Sequence, residues 1–279
     1  MKSRWLAFLI LAVGVLGCAE KDDLHLTKLA RIKGYAEAQV KIEHLRKRTK
    51  PDWTAIEKLH HGVAPLVREV DGYGSTSYGS EIALALKKCS RGDRVEVNQQ
   101  VLAKGLQHVT TLAMTRELDL MANSGPAQRQ ETVQYVAGYF EGIRPTFTRR
   151  DRDYFAGVRT LEASADRAIL YLKKTASAGP AQILSARREL EQVILRTYAL
   201  CVLFEISEIE DYRNKDLATC DVKRMEALIF YRIIQPRIRR GDLRADEALT
   251  AILHGPYAGM AAGTVREYLQ RGLPEVPLG

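Results

Sequence analysis

The chain is poor in cysteine, tryptophan and phenylalanine, with 4, 2 and 6 in 279 residues. It has no Cys-x-x-Cys-His, which excludes covalent c-type haem, and no zinc-finger spacing of Cys and His. No aromatic ribonucleoprotein signature and no Gly-Lys-Ser/Thr phosphate loop occurs, so no nucleic-acid partner is indicated. No segment alternates apolar and polar residues at period two, which leaves no sheet to build. No Ser/His/Asp set can be assembled. The apolar run Trp5 to Leu16 is too short to cross a membrane comfortably.

Helical periodicity fills almost everything else. With 46% hydrophobic residues the chain is able to bury a core, and disorder is not indicated. Leu26, Leu29, Ile32, Ala36, Val40 and Leu45 mark one helical face after a short polar tether, residues 18–23. Trp53, Ile56, Leu59, Val63, Leu66 and Val70 mark a second, with Pro65 expected to kink or shorten it. A Gly-rich loop follows, Asp71 to Ser80. Then come a short helix (Ile82–Lys88), a long one (Val95–Met121) and a stop at Asn123-Ser124-Gly125-Pro126. Further helices are expected over Gln130–Arg149, Asp151–Lys174, Gln182–Tyr212, Val222–Arg239, Ala245–Leu253 and Gly259–Gln270, with a loose tail from Gly272.

Two stretches resemble each other at an offset of about 91 residues, which implies a repeated unit. Pro145, Arg149 and Asp151 match Pro236, Arg240 and Asp242. A fainter copy is placed at Gly34-Tyr35-Ala36-Glu37. Leu84–Lys88 resembles Leu170–Lys174, and Val101, Lys104 and Asp119 resemble Val193, Arg196 and Asp211. The expected architecture is therefore all-α, an antiparallel helical bundle built from an internal duplication. Its units are residues 24–126 and 127–216, with a truncated third over 217–279, all packed as one body.

The N-terminus carries an address. Lys2 and Arg4 precede the apolar run, which ends Val15-Leu16-Gly17-Cys18. This resembles a bacterial lipobox, with Val15 and Leu16 as mild departures from its usual residues. The resemblance implies that residues 1–17 are a signal peptide and that Cys18 becomes the lipidated first residue. Several acyl chains hold a protein on a membrane where one does so only marginally. Ala19, rather than Asp, after the cysteine implies the outer membrane, periplasmic face, with the membrane as partner through lipid on Cys18. Cleavage lowers the formal charge of +8 by two. An oxidising compartment would permit a disulfide between Cys89 and Cys220, whereas Cys201 lies in an apolar run and reads as a small buried side chain.

Candidate sites are few. Glu57 and His60 stand three apart on one helical face, with His61 adjacent, and form a candidate metal set. In architecture the chain is similar to imelysin-like iron-linked proteins, but their Gly-x-His-x-x-Glu motif is absent and no residue is carried over. Asp71, Tyr73 and Tyr78 in the Gly-rich loop are candidate ligand-binding residues, since loops carry contacts on rigid scaffolds. The basic ends Arg46–Arg48, Arg149–Arg150 and Arg237–Arg240 read as charge at helix C-termini. Glu205 and Glu208 read as a solvated or salt-bridged face. No cofactor is indicated by any motif. The leading expectation is a non-enzymatic binding or scaffolding role toward an envelope protein or small ligand. Metal binding through Glu57, His60 and His61 is the first alternative, and an enzyme with a pocket between the units is the second.

Overall fold

The computed structural model describes the backbone of residues 4–74 and 77–278, and side chains from His25 onward except those of residues 73, 74 and 180. The helices are α1 (Arg4–Arg46), α2 (Trp53–Gly74), α3 (Tyr78–Ser90), α4 (Val95–Met121), α5 (Pro126–Tyr154), α6 (Thr160–Thr175), α7 (Pro180–Tyr212), α8 (Leu217–Gly241), α9 (Leu243–His254) and α10 (Ala262–Gly272). A 3-10 turn at Tyr257–Gly259 joins the last two. No strand occurs among the described residues. The protein is an all-α helical bundle.

Local chemistry explains most of the helix ends. Asp52 caps α2, its Oδ1 accepting from Ala55 N at 2.9 Å, and Asp216 caps α8 through Thr219 N at 3.1 Å. Gly125-Pro126 and Gly179-Pro180 each put proline in the first turn of a new helix, where its missing N–H costs nothing.

After α1, α2–α3–α4 and α5–α6–α7 each run long–short–long, and α8–α9–α10 starts the same way but ends in an 11-residue helix. α1 stands outside these three sets and packs on α2, α4 and α5. In each set the first helix contains a proline (Pro65, Pro145, Pro236), and an aspartate follows six residues later (Asp71, Asp151, Asp242). Each aspartate accepts backbone N–H groups from the first turn of the short helix that follows. Pro65–Asp71 thus has the same spacing and the same capping contact as Pro145–Asp151, while Gly34–Glu37 lies on α1.

One contiguous hydrophobic core joins all three sets. It includes Ile32 and Ile42 of α1, Phe140 and Phe147 of α5, Tyr198 and Ile206 of α7, and Ile234 of α8. α4 is the central element, in contact with α1, α2, α3, α5 and α8, and residues 102–111 along it are buried without a break.

Several expected boundaries are corrected. Residues 18–23 are helical backbone within α1, which has no Gly or Pro between Gly17 and Gly34 to stop it. α2 runs on through Pro65 and through the first half of the Gly-rich stretch to Gly74. The Asp151–Lys174 segment divides at residues 155–159, where Ala156 and Gly157 both take positive φ. The C-terminal tail is pinned rather than loose. Leu273, Val276 and Leu278 are buried, and Arg266 donates to the Leu278 carbonyl at 2.8 Å.

Candidate functional site

Asp71 and Tyr78 turn inward to the fold. The Asp71 carboxylate accepts Tyr78 N at 2.9 Å and Gly79 N at 2.8 Å, so it fastens the start of α3. A Cβ on Gly79 would stand 2.9 Å from Asp71 Oδ2, and the approach needs glycine. Tyr78 Oη lies 3.2 Å from His108 Nε2, and its ring meets the imidazole edge-on. Burial pushes His108 down to about 3, so the imidazole is neutral, and pushes Tyr78 up to about 12. Tyr78 also lines a cavity of about 250 Å³ between α3, α4 and α8, beside the Glu81–Arg232 ion pair. The side chains of Tyr73 and of Cys18, the residue expected to be lipidated, lie outside the described side chains.

The metal expectation is corrected. Successive residues on a helix point about 100° apart, so His60 is buried while Glu57 and His61 are exposed. The two imidazole rings are 6.3 Å apart. Among the described residues no three His, Cys, Asp or Glu side chains are grouped to hold a metal ion. Cys89, Cys201 and Cys220 are all buried free thiols. Cys89 contacts the carbonyl of Val95 and Cys220 that of Ile209, each across its own interhelical turn, so the two do not pair.

The densest polar chemistry lies elsewhere, where α1, α4, α5, α7 and α8 meet. Lys104 of α4 is fully buried, with its Nζ 3.5 Å from Glu226 Oε1 of α8. Lys223 of α8 reaches Glu205 at 3.1 Å and Glu208 at 3.4 Å, both on α7. Arg150 of α5 pairs with Asp153 at 2.7 Å, approaches Glu205 at 3.9 Å and stacks over Phe204. Glu205 and Glu226 are close enough to repel each other when both are ionised. Burial and the neighbouring Glu226 raise Glu205 to about 7, while Lys104 and Lys223 outweigh burial and hold Glu226 low. Of the two, Glu205 is thus the one that holds a proton as the pH falls below about 7. Lys104 Nζ and Arg150 Nε and Nη1 make no hydrogen bond, so donors remain unsatisfied at the centre of the protein.

The cluster reaches the surface through Glu43 of α1. Arg46 grips Glu43 with two hydrogen bonds at 2.7 and 2.9 Å, and Lys47 and Arg149 add contacts at 2.8 and 3.2 Å. Burial opposes its charge, but Lys104 and Arg46 prevail and hold the carboxyl far below its usual range. Beside it lies a cavity of about 200 Å³ between α1, α4 and α5, with Gln39, Gln107 and Arg149 in its walls. Arg46 and Arg150, read from the sequence as solvated helix ends, are 5% and 2% exposed. Glu43 carried no sequence signal beyond its place in a basic stretch, and Lys104 was marked only by its match to Arg196.

A separate open groove of about 740 Å³ runs along α1 and α5. Leu29, Ala36, Val40, Ala137 and Gly138 supply its apolar floor, and Lys33, Lys41, Glu37 and Glu141 line it as well. Val40 borders both this groove and the smaller cavity. Among the described residues no helix is long and apolar enough to cross a membrane. Comparison with protein-family models, curated proteins and solved structures returned no match for this chain.

Proposed function

We propose that this is a lipid-anchored envelope protein, held at the periplasmic face of the outer membrane by Cys18, whose helical body binds a partner protein without catalysing a reaction. The observation that carries the binding role is the groove between α1 and α5. Its floor is apolar, its charged residues are of both signs, and no other part of the described chain covers it. The occupant it fits is an amphipathic helix. On α1 the lining runs from Leu29 to Lys41, about 18 Å of helix at 1.5 Å per residue. Small residues on α5, Ala137 and Gly138, leave a trough between two packed helices in which the ridge of a third can seat. Lys33, Lys41, Glu37 and Glu141 suit a partner helix that also carries both charges. The anchor rests on the residues before Cys18 and their resemblance to a lipobox. The groove lies on α1, the helix that also bears that N-terminal segment.

Two experiments test the two halves of this reading. Palmitate labelling of cells should give a band lost in Cys18→Ala; a full-length chain with no label removes the anchor. A photo-crosslinking residue at Val40 should capture a defined protein in intact envelopes, and one at Val158, exposed on another surface, should not. Ala137→Arg should abolish the Val40 adduct. Equal adducts at the two positions, none at either, or an adduct indifferent to Ala137→Arg each remove the groove as the binding surface.

A further inference from the structure

The smaller cavity between α1, α4 and α5 has the makings of a ligand site, and it meets the partner groove only at Val40 among their lining residues. Its walls divide into two kinds. One end is cationic: Arg149 and Lys47 line it, with Arg46 behind them. All three contact the single carboxylate of Glu43, so the cluster carries more positive than negative charge. Fully buried Lys104 adds to the same field, since it is one of the charges that hold Glu43 ionised. Glu43 itself and His44 also line the cavity, and the rest of its wall sets apolar Val40, Ala103, Leu106 and Pro145 beside the amides Gln39 and Gln107.

Between the two ends lies Gln39, 5% exposed, in the cavity wall. Its Oε1 accepts from Thr110 Oγ1 at 2.6 Å, and its Nε2 has no hydrogen-bond partner. A buried amide N–H left unmet costs about 1–3 kcal/mol, and buried groups of this kind almost always find an acceptor. Gly142 lines the cavity beside the oxygen of this amide. A Cβ there would stand 3.2 Å from Gln39 Oε1 and 3.4 Å from the Ala36 backbone.

We propose that this cavity binds a short aliphatic carboxylate, with its head on Arg149, Lys47 and the Gln39 amide and its chain against Ala103, Leu106 and Pro145. The charge selects an anion, the unpartnered amide supplies a donor, and the apolar wall selects a carbon chain over a fully polar oxyanion such as phosphate. At about 200 Å³ the space lies below the ~300–1,000 Å³ of sites that take drug-sized molecules, so the chain is short.

The test uses the folded chain labelled with ¹⁵N and titrated with sodium butyrate, following the Gln39 side-chain amide and the backbone of residues 142–149. Butyrate should give a saturable shift at Gln39 Nε2, and 1-butanol and inorganic phosphate should not. Arg149→Gln and Gln39→Met, each confirmed as folded by circular dichroism, should weaken butyrate at least about tenfold, as loss of a charge-assisted or buried hydrogen bond implies. Absence of a saturable shift up to about 50 mM, beyond the weak millimolar range, overturns the site. So does a butanol or phosphate response that matches or exceeds that of butyrate, or unchanged affinity in both variants. The partner-groove reading is read out by the loss of the crosslink in Ala137→Arg, and Ala137 lines the groove but not this cavity, so the two readings stand or fall separately.

Discussion

Asp151, in the last turn of α5, accepts the backbone N–H of Leu161 through Oδ1 at 2.7 Å, so the end of one helix holds the start of the next. Its Oδ2 accepts Glu162 N at 3.1 Å, and the residue is 1% exposed. Asp71 does the same for α3, and Asp242, whose Oδ1 accepts Ala245 N at 3.1 Å, does so for α9. Asp151→Ala should cost about 2–4 kcal/mol, because two buried N–H groups lose their acceptor. Asp242→Ala removes one cap hydrogen bond and a half-exposed ion pair with Arg271 and should cost less, about 1–2 kcal/mol. Urea denaturation ranks the two, and equal losses would disprove the difference in burial.

Lys104 and Glu226 depend on each other. Removing one member of a buried pair leaves the other uncompensated, and Lys104→Met should cost about 3–5 kcal/mol. The double change Lys104→Met with Glu226→Met should recover a large part of that loss, since two apolar side chains replace two charges. A double variant as unstable as the sum of its singles would show that the two charges are not coupled.

The Glu205–Glu226 pair predicts a pH dependence of stability. Glu205 is raised from 4.5 to about 7, so what its protonated form contributes is full below about pH 4.5 and is lost as the pH climbs through 7. Glu226 and Glu43 are lowered, so their contributions are present above about pH 4.5 and fade only in stronger acid. The charges facing Glu205 are Lys104 of α4, Arg150 and Asp153 of α5, Glu208 of α7, and Lys223 and Glu226 of α8. Glu205→Gln mimics the protonated form. Between pH 4.5 and 7.5 its melting temperature should therefore rise relative to wild type as pH increases. Parallel curves for the two proteins across that range would refute the assignment.

Glycines on α1 and α5 should respond in opposite directions. A Cβ at Gly138 would lie 2.8 Å from Ile32 Cγ2, so Gly138→Ala should destabilise. Overpacking of about 1–3 kcal/mol exceeds the helix-propensity gain of about 1 kcal/mol. Gly34 has nothing within 4 Å of such an atom, and Gly34→Ala should stabilise by about 0.5–1 kcal/mol. Thermal melts of the two variants decide it. Stabilisation by both would mean that α1 and α5 are not packed as closely as Gly138 requires.

The helices were legible from sequence because their signals are local. Asp52, Gly125-Pro126, Gly179-Pro180 and Asp216 act on their own neighbours, and apolar spacing at 3.6 residues marks a buried face without reference to any partner. The likeness of Pro145–Asp151 to Pro236–Asp242 was visible for the same reason. That Pro65–Asp71 shares their spacing and cap was not, because Asp71 was read as part of a Gly-rich loop. Only contact with α3 makes it a cap.

Tertiary structure decided the polar centre. Periodicity assigns charged residues to the outside, and a helix surrounded on every side violates that rule. α4 touches five other helices, so Lys104, Gln107 and His108 are buried whatever their polarity. Arg149 and Arg150 look like ordinary basic helix ends until the fold brings them to Glu43 and Glu205, each more than fifty residues away in the chain. A carboxylate gains its partners, its proton and its role from the fold's long-range contacts, and a one-dimensional pattern carries no distance across them.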